Sequence, residues 1–312
     1  MRGARTDVSL GTPRESTVAS PRVSVIICNY NYGGYLSDAI GSVLRQTYEN
    51  VECILVDDGS TDDSRQALRP FLGKVQVIFQ PNRGLSAARN RGMRAARGEL
   101  VAFLDADDMW HPRKLERQVA LLESSDAGMV FSEVRYIDER GGALGMTECG
   151  SGRDVLEEMV LMGRPGVPAA GSCAVIRRSV FTAVGEFDET LSTSADWDMW
   201  RRIACRYGVE RVREPLALCR EHDRALHHDV ESLERDMTRA LQSTFIDPSA
   251  RSVHPLRSQC YGHFYIDLAR KYWHAHKPAQ ALRCLSAGVT AWPRGITHVV
   301  PLPLRRLLRV AA

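Results

Sequence analysis

The sequence predicts an α/β chain built on a doubly wound, mostly parallel sheet, with a helical extension at the C-terminal end. Three observations predict it. Short apolar runs alternate with helical periodicities over residues 22–104, and such alternation implies parallel strands joined by right-handed crossovers. Each of the four runs ends in a polar turn rich in Asp or Asn. Beyond about residue 230 the spacing of apolar residues is helical.

Residues 23–27 (Val-Ser-Val-Ile-Ile), placed after Pro21, read as a buried strand. Residues 33–46 carry Leu36, Ile40, Val43 and Leu44 at helical spacing. Residues 51–56 read as a second strand. The run Ser60-Thr-Asp-Asp63 has the form of a capping box with Ser60 as N-cap, which predicts a helix to about residue 72. Residues 75–79 read as a third strand and 81–84 as a turn. Residues 85–97 read as a helix with a small inner face, Leu85, Ala88, Gly92, Ala95 and Ala96, suited to lying close on a sheet. Residues 100–104 form a fourth strand. A helix over 112–124, a strand over 128–131, a strand over 173–176 and a helix over 197–207 follow, and the Gly-rich stretch 141–153 reads as a mobile loop. Residues 256–274 and 278–291 read as a helical hairpin, with Pro278 suited to a first helical position. The hairpin faintly resembles one tetratricopeptide unit, which needs neighbours to bury a core.

The 312 residues suffice for one α/β domain of about 200 residues plus an appendage. Hydrophobic residues are 44% and charged residues 25%, which excludes a mostly disordered chain. A net charge of +3 argues against a dedicated nucleic-acid binder. The eight cysteines include no C-x-x-C pair, and several sit in apolar runs. They read as reduced thiols of a cytoplasmic protein, not as a zinc site. No stretch reaches the ~18 apolar residues of a membrane span. Residues 1–20 read as a disordered leader, 21–228 as the α/β domain and 229–312 as the helical extension.

Ligands of an open parallel sheet bind beyond the carboxyl ends of the strands. There the sequence places Cys28-Asn-Tyr-Asn-Tyr-Gly-Gly34, Asp57-Asp-Gly-Ser-Thr-Asp62, Gln80-Pro-Asn-Arg-Gly84 and Asp105-Ala-Asp-Asp108. Carboxylates gathered at one rim repel one another unless a cation or a donor-rich ligand is bound. The pair Asp105 and Asp107, at the end of a buried strand, suits Mg²⁺ or Mn²⁺, with water and phosphate completing the shell. The first strand-to-helix turn has no G-x-G-x-x-G and no G-x-x-x-x-G-K-[ST], so neither a dinucleotide fingerprint nor a P-loop is present. Tyr30 can stack on a nucleobase, and Asp58 can accept a base or ribose proton. Arg83 or Arg89, at the start of the third helix, can reach a diphosphate.

Together these segments resemble the family 2 glycosyltransferases, whose nucleotide-sugar-binding fold is called GT-A. The resemblance rests on residues 23–31 (Val-Ser-Val-Ile-Ile-Cys-Asn-Tyr-Asn), 56–62 (Val-Asp-Asp-Gly-Ser-Thr-Asp), 82–92 (Asn-Arg-Gly-Leu-Ser-Ala-Ala-Arg-Asn-Arg-Gly) and 103–108 (Phe-Leu-Asp-Ala-Asp-Asp), in this order. It covers about residues 22–225 and leaves the helical extension unexplained. It implies an inverting, non-processive transfer from a nucleoside-diphosphate sugar, with UDP as the default nucleotide. By position it implies that Tyr30, Asp58 and Arg89 bind the donor. Asp105 and Asp107 would hold the metal and diphosphate, with Asp108 near the sugar or ribose. Ser194-Ala-Asp-Trp-Asp-Met-Trp200 resembles the acceptor half, with Asp196 as catalytic base. Arg220-Glu-His222 resembles a late segment whose histidine touches the metal. Ala195 stands where the family often has Glu, which leaves Asp198 as an alternative base, and Cys219 stands where it often has Tyr.

The chemistry asks for such groups. A carboxylate takes the proton of a hydroxyl nucleophile as it attacks, and a divalent cation offsets charge on the leaving diphosphate. No Q-x-x-R-W motif is present, against a processive synthase. The acceptor is expected to be a glycan or a lipid-linked molecule in surface polysaccharide or glycoconjugate assembly. Two other readings are a non-catalytic nucleotide-sugar-binding scaffold and a sugar nucleotidyltransferase. The latter wants a Gly- and Arg-rich loop that residues 29–34 do not supply. The basic, amphipathic stretch 303–310 suits a peripheral contact with an anionic inner membrane face, or a packed terminal helix.

Overall fold

In the computed structural model β1 (Val23–Asn29) is buried at every residue, as its continuous apolar run requires. The structure describes residues 22–150, 154–162, 166–168, 171–222 and 229–295. The leader expected over 1–20 and the basic stretch 303–310 lie outside these residues. After β1 come α1 (Gly33–Leu44), β2 (Val51–Asp57), the short α2 (Ser64–Ala67), β3 (Gln76–Phe79), α3 (Leu85–Ala95) and β4 (Leu100–Asp105). Strands β3, β2, β1 and β4 lie side by side and parallel. α3 rests directly on this layer: a Cβ added at Gly92 would collide with the Ile26 side chain.

Two readings of the sequence change here. The helix expected to run from Ser60 to about residue 72 is broken into α2 and a 3₁₀ turn, Arg69–Phe71. Pro70 has no N–H to continue an α-helix. Ser60 caps no helix; its Oγ accepts hydrogen bonds from Asn31 N and Asn29 Nδ2, both at 3.0 Å. The loop expected over 141–153 contains β7, as described below.

The second half of the sheet is mixed. β5 (Met109–Trp110), α4 (Lys114–Glu123), β6 (Met129–Ile137), β7 (Ala143–Glu148), α5 (Val155–Leu161), β8 (Ala174–Arg177), α6 (Val180–Val184), α7 (Ala195–Ala204) and β9 (Val209–Arg220) follow in order. The strand order is β3-β2-β1-β4-β8-β6-β9-β5, with β7 on β6. β8 runs antiparallel to both β4 and β6, so a strand formed late in the sequence sits beside one formed early. β7 is an edge strand whose residues are mostly exposed. Without a buried face it carries no alternating apolar pattern, and its glycines read as loop.

The extension forms α8 (Val230–Thr244), α9 (Arg257–His274) and α10 (Pro278–Ala291). A second hydrophobic core joins Met237 and Leu241 of α8, Phe264, Leu268 and Tyr272 of α9 and Cys284 of α10 to Leu156 and Val160 of α5. Trp197 and Ala204 of α7 pack against the same core. The α9–α10 hairpin thus finds in α5 and α8 the neighbours that a single helical unit lacks. No described helix is long and apolar enough to cross a membrane.

Candidate active site

Strand register brings the polar turns level. Cys28 pairs with Asp105 across β1 and β4, and Asn29 with Asp57 across β1 and β2. Tyr30, just past β1, is 45% exposed at this rim. The first two turns are laced together: Asn29 Nδ2 donates to Asp57 Oδ2 at 2.8 Å, and Asn31 Oδ1 accepts from Thr61 N at 2.7 Å.

Asp58 is buried, and its carboxylate accepts from Gln80 Nε2 at 2.7 Å, Arg83 N at 2.9 Å and Gly84 N at 2.8 Å. It therefore shapes the turn that leads into α3. Arg83 lies on the surface against Glu189. Arg89, one turn further along α3, is buried beneath the rim, with its guanidinium over the rings of Phe103 and Phe187. Its Nη2 lies 3.0 Å from Asp105 Oδ1. Gly171 gives it room: a Cβ there would strike the guanidinium.

The three aspartates after β4 have three different surroundings. Burial pushes the Asp105 carboxyl up; Arg89 opposes this, and Asp107 and Asp196 add to it. Asp107 Oδ2 lies 3.0 Å from His222 Nε2. Asp108 is buried. Its carboxylate accepts from Ser172 Oγ at 2.6 Å, Arg220 N at 2.9 Å and Cys219 Sγ at 3.3 Å. Burial, then the charges of Asp107 and Asp105, push its carboxyl well up.

His222 is buried, with Tyr35 stacked on it and Tyr32 edge-on, each at 5.5 Å between centroids. Arg220, at the end of β9, secures this corner. Its Nε donates to Asp107 O at 2.7 Å, and its Nη1 to Glu139 O at 2.7 Å. Its Nη2 meets Asp38 at 3.1 Å. Asp105, Asp107 and His222 are not drawn into one closed set: among the described residues no group of three or more His, Cys, Asp or Glu side chains could hold a metal ion by itself. Asp107 with His222 presents one carboxylate and one imidazole. That set fits a divalent ion whose remaining ligands are phosphate oxygens and water.

Asp196 is the second residue of α7 and half-buried; among the described residues its carboxylate takes a hydrogen bond from the adjacent Trp197 N. Its charge is felt at Arg89 and at Asp105. The alternative, Asp198, is buried and engaged by Arg201 Nη2 and Arg202 Nε, each at 2.8 Å. Sequence reasoning missed Ser172. Its Oγ accepts from Asp105 N at 3.0 Å while donating to Asp108, and its carbonyl accepts from Trp110 Nε1 at 2.8 Å. No sequence pattern marks it beyond its place two residues before a strand.

The family model described as "Glycosyl transferase family 2" matches residues 24–185, more than half of the chain. An uncharacterised glycosyltransferase of Nostoc sp. is 50% identical over 121 residues, 38% of each chain. Another, of Rickettsia typhi, is 31% identical over 208 residues, 65% of each chain. The chain thus spans 38% and 65% of the lengths of these relatives. Among solved structures, S. aureus TarS superposes with a TM-score of 0.62 at 17% identity, over 92% of this chain and 52% of that one. The mannosyltransferase PcManGT of Pyrobaculum calidifontis, in complex with GDP-Man and Mn²⁺, gives 0.57 at 20% identity, over 94% and 79%. These likenesses carry the fold, which is GT-A. The four turns at the rim and the family match agree, and the chain belongs to glycosyl transferase family 2.

Proposed function

We propose that the chain transfers a sugar from a nucleoside-diphosphate sugar, with UDP as the default nucleotide, to a hydroxyl of a glycan or lipid-linked acceptor. Transfer is by inversion and depends on a divalent cation. The observation that carries this reading is a carboxylate–imidazole pair at the rim, Asp107 and His222 at 3.0 Å, beside a carboxylate on α7, Asp196, whose charge is felt at both Arg89 and Asp105.

Tyr30 stacks on the base. Asp58 acts through the turn it holds, and Asp108 through the corner it shares with Ser172 and Arg220. Asp107 and His222 would hold the cation, with Asp105 beside them; once bound, it supplies charge to offset that on the departing diphosphate. Arg89 keeps a positive charge under Asp105. Asp196 accepts the acceptor hydroxyl proton as the oxygen attacks the anomeric carbon. A single displacement of this kind inverts the anomeric configuration. The relatives' neighbours in structure support the donor class: TarS has been solved with UDP and with UDP-GlcNAc, and PcManGT with GDP-Man. An acceptor in surface polysaccharide or glycoconjugate assembly, reached from the cytoplasmic face of a membrane, completes the reading.

The test is thermal stability with UDP, GDP, TDP and CDP, each with Mn²⁺ and with EDTA. A ligand at a hundredfold excess over Kd stabilises the folded state by about 2.7 kcal/mol. A Mn²⁺-dependent shift with one nucleotide is expected. No shift with any of them, in folded protein, weakens the donor site and moves the reading to a scaffold that binds no free nucleotide or to a site gated by its acceptor. Asp196→Asn is then expected to lower transfer about 100- to 10,000-fold while leaving that shift intact.

A further inference from the structure

We propose that Asp236, on the first helix of the extension, is a positioning residue for Asp196; this rests on the reading of Asp196 as the base. Asp236 lies outside the family-model match, on α8, and is fully buried. One carboxylate oxygen, Oδ2, accepts four hydrogen bonds from two successive residues. They come from Ser192 N at 2.6 Å, Ser192 Oγ at 2.9 Å, Thr193 N at 2.9 Å and Thr193 Oγ1 at 3.2 Å. The next residue, Ser194, is the N-cap of α7, and Asp196 follows within its first turn.

The same loop is held on its other side by α3. Ser86 Oγ donates to Leu191 O at 2.7 Å, and Asn90 accepts from Phe187 N at 2.8 Å while donating to Phe187 O at 3.0 Å. Arg89, which is coupled to Asp196, sits between Ser86 and Asn90 on that helix. The segment 187–193 is therefore clamped between the helix that carries Arg89 and a helix of the extension. A second tie fixes α7 further along: Asp247, just after α8, meets the fully buried Arg201 at 3.0 Å. The extension thereby sets both where α7 begins and how it is rotated, and with it the direction of the Asp196 carboxylate. Serine and threonine hydroxyls could be satisfied by water at the surface; converging two of them and two N–H groups on one buried oxygen fixes the loop in one conformation.

The experiment is steady-state release of UDP from UDP-N-acetylglucosamine with Mn²⁺ and water as acceptor, or of GDP from GDP-mannose if the nucleotide screen selects GDP. Wild type is compared with Asp236→Asn, with the double variant Ser192→Ala, Thr193→Val, with Asp196→Asn and with Asp196→Asn combined with Asp236→Asn. A base displaced by about 1 Å costs about 100-fold in rate. Asp236→Asn is expected to lower kcat about 10- to 100-fold with the KM for the nucleotide sugar within about twofold of wild type. The hydroxyl-deletion variant, which keeps both backbone bonds, falls less. In the Asp196→Asn background the Asp236 change adds no further loss, since it acts through Asp196. A kcat near wild type in folded Asp236→Asn, or a parallel loss of donor affinity, overturns the proposal. If Asp236→Asn does not fold, the hydroxyl-deletion variant decides by the same criteria. If Asp196→Asn alone turns over at wild-type rate, the base reading fails and the positioning role falls with it. An inactive Asp196→Asn beside a fully active Asp236→Asn removes only the positioning role.

Discussion

Arg89 Nη2 stands 3.0 Å from Asp105 Oδ1, with the arginine side chain 3% exposed and the aspartate 29% exposed. The pair is asymmetric. Its positive member is sealed beneath the rim, and its negative member can still be reached from solution. Arg89 thus supplies a fixed counter-charge from below.

Removing that charge leaves a partly buried carboxylate without its partner. Arg89→Met is expected to destabilise the fold by about 2–3 kcal/mol, below the figure for a fully buried pair because Asp105 is partly solvated. Urea unfolding measures it. A loss under about 0.5 kcal/mol would place the pair among inert surface contacts.

Ser172 links Asp105 and Asp108 through one hydroxyl. Ser172→Ala leaves Asp105 N and Asp108 Oδ2 each short of a partner, while the backbone bond from Arg220 N remains. Groups that orient a metal's ligands typically change affinity about 10- to 100-fold. The Kd for Mn²⁺ with nucleotide should rise within that range. Titration calorimetry that finds it unchanged would remove Ser172 from the site's support.

Acid should loosen the hold of the extension on α7. Burial alone pushes the Asp236 carboxyl up, but the hydrogen bonds from Ser192 and Thr193 outweigh it, and the carboxyl sits below its ordinary 3.8. Asp247 is depressed likewise: bonds from Ser249 and the charge of Arg201 overcome burial. A carboxyl with a depressed folded pKa contributes stability present above its unfolded pKa, and lost as pH falls through the folded one. Tm should therefore fall as pH drops below about 4, and fall less steeply in Asp236→Asn. Equal slopes for the two proteins would contradict this.

Lys114 gives a slope of the same sign on the alkaline side. Among the described residues its Nζ has no hydrogen-bond partner, and it lies 3.9 Å from the Trp110 ring centroid. Burial pushes the amine down from 10.5 to about 7. The unfolded chain binds the proton more tightly between these values, so stability rises with pH across that window. Lys114→Met is expected to raise Tm at pH 7, and the gain should shrink towards pH 10. A gain that stays constant with pH would have to come from packing alone.

Much of the donor half was legible because its signals are local. The apolar runs of β1, β2 and β4 are continuous, and the small face of α3 announces close approach to the sheet. The turns after them carry Tyr30, Asp58 and Asp105 at fixed offsets from strand ends. What could not be read depends on distant pairings. Asp107 meets His222 across 115 positions, a pairing that only the family resemblance suggests, and Ser172, which nothing marks, reaches Asp108 across 64. Asp58 and Asp108, expected at the donor, also hold loops: Asp58 the turn into α3, and Asp108 the corner with Ser172 and Arg220, which no local pattern announces. β7 was read as loop because an exposed edge strand needs no apolar alternation. The break at Pro70 is local and readable, whereas the capping-box spacing before it, taken alone, predicts a continuous helix.

The place of β8 between β4 and β6 has a consequence for the order in which the protein can be assembled. A ribosome delivers β4 and β6 long before β8 emerges, yet the two are not neighbours in the finished sheet. Until residues 174–177 arrive, the central strand of the nascent domain keeps one row of peptide groups unpaired, a template for wrong partners. Ser172 arrives with that same strand. The edge that invites aggregation is thus covered, and the acidic turn given its serine, in one stroke of synthesis, so a nascent chain paused near residue 150 would be both sticky and inactive.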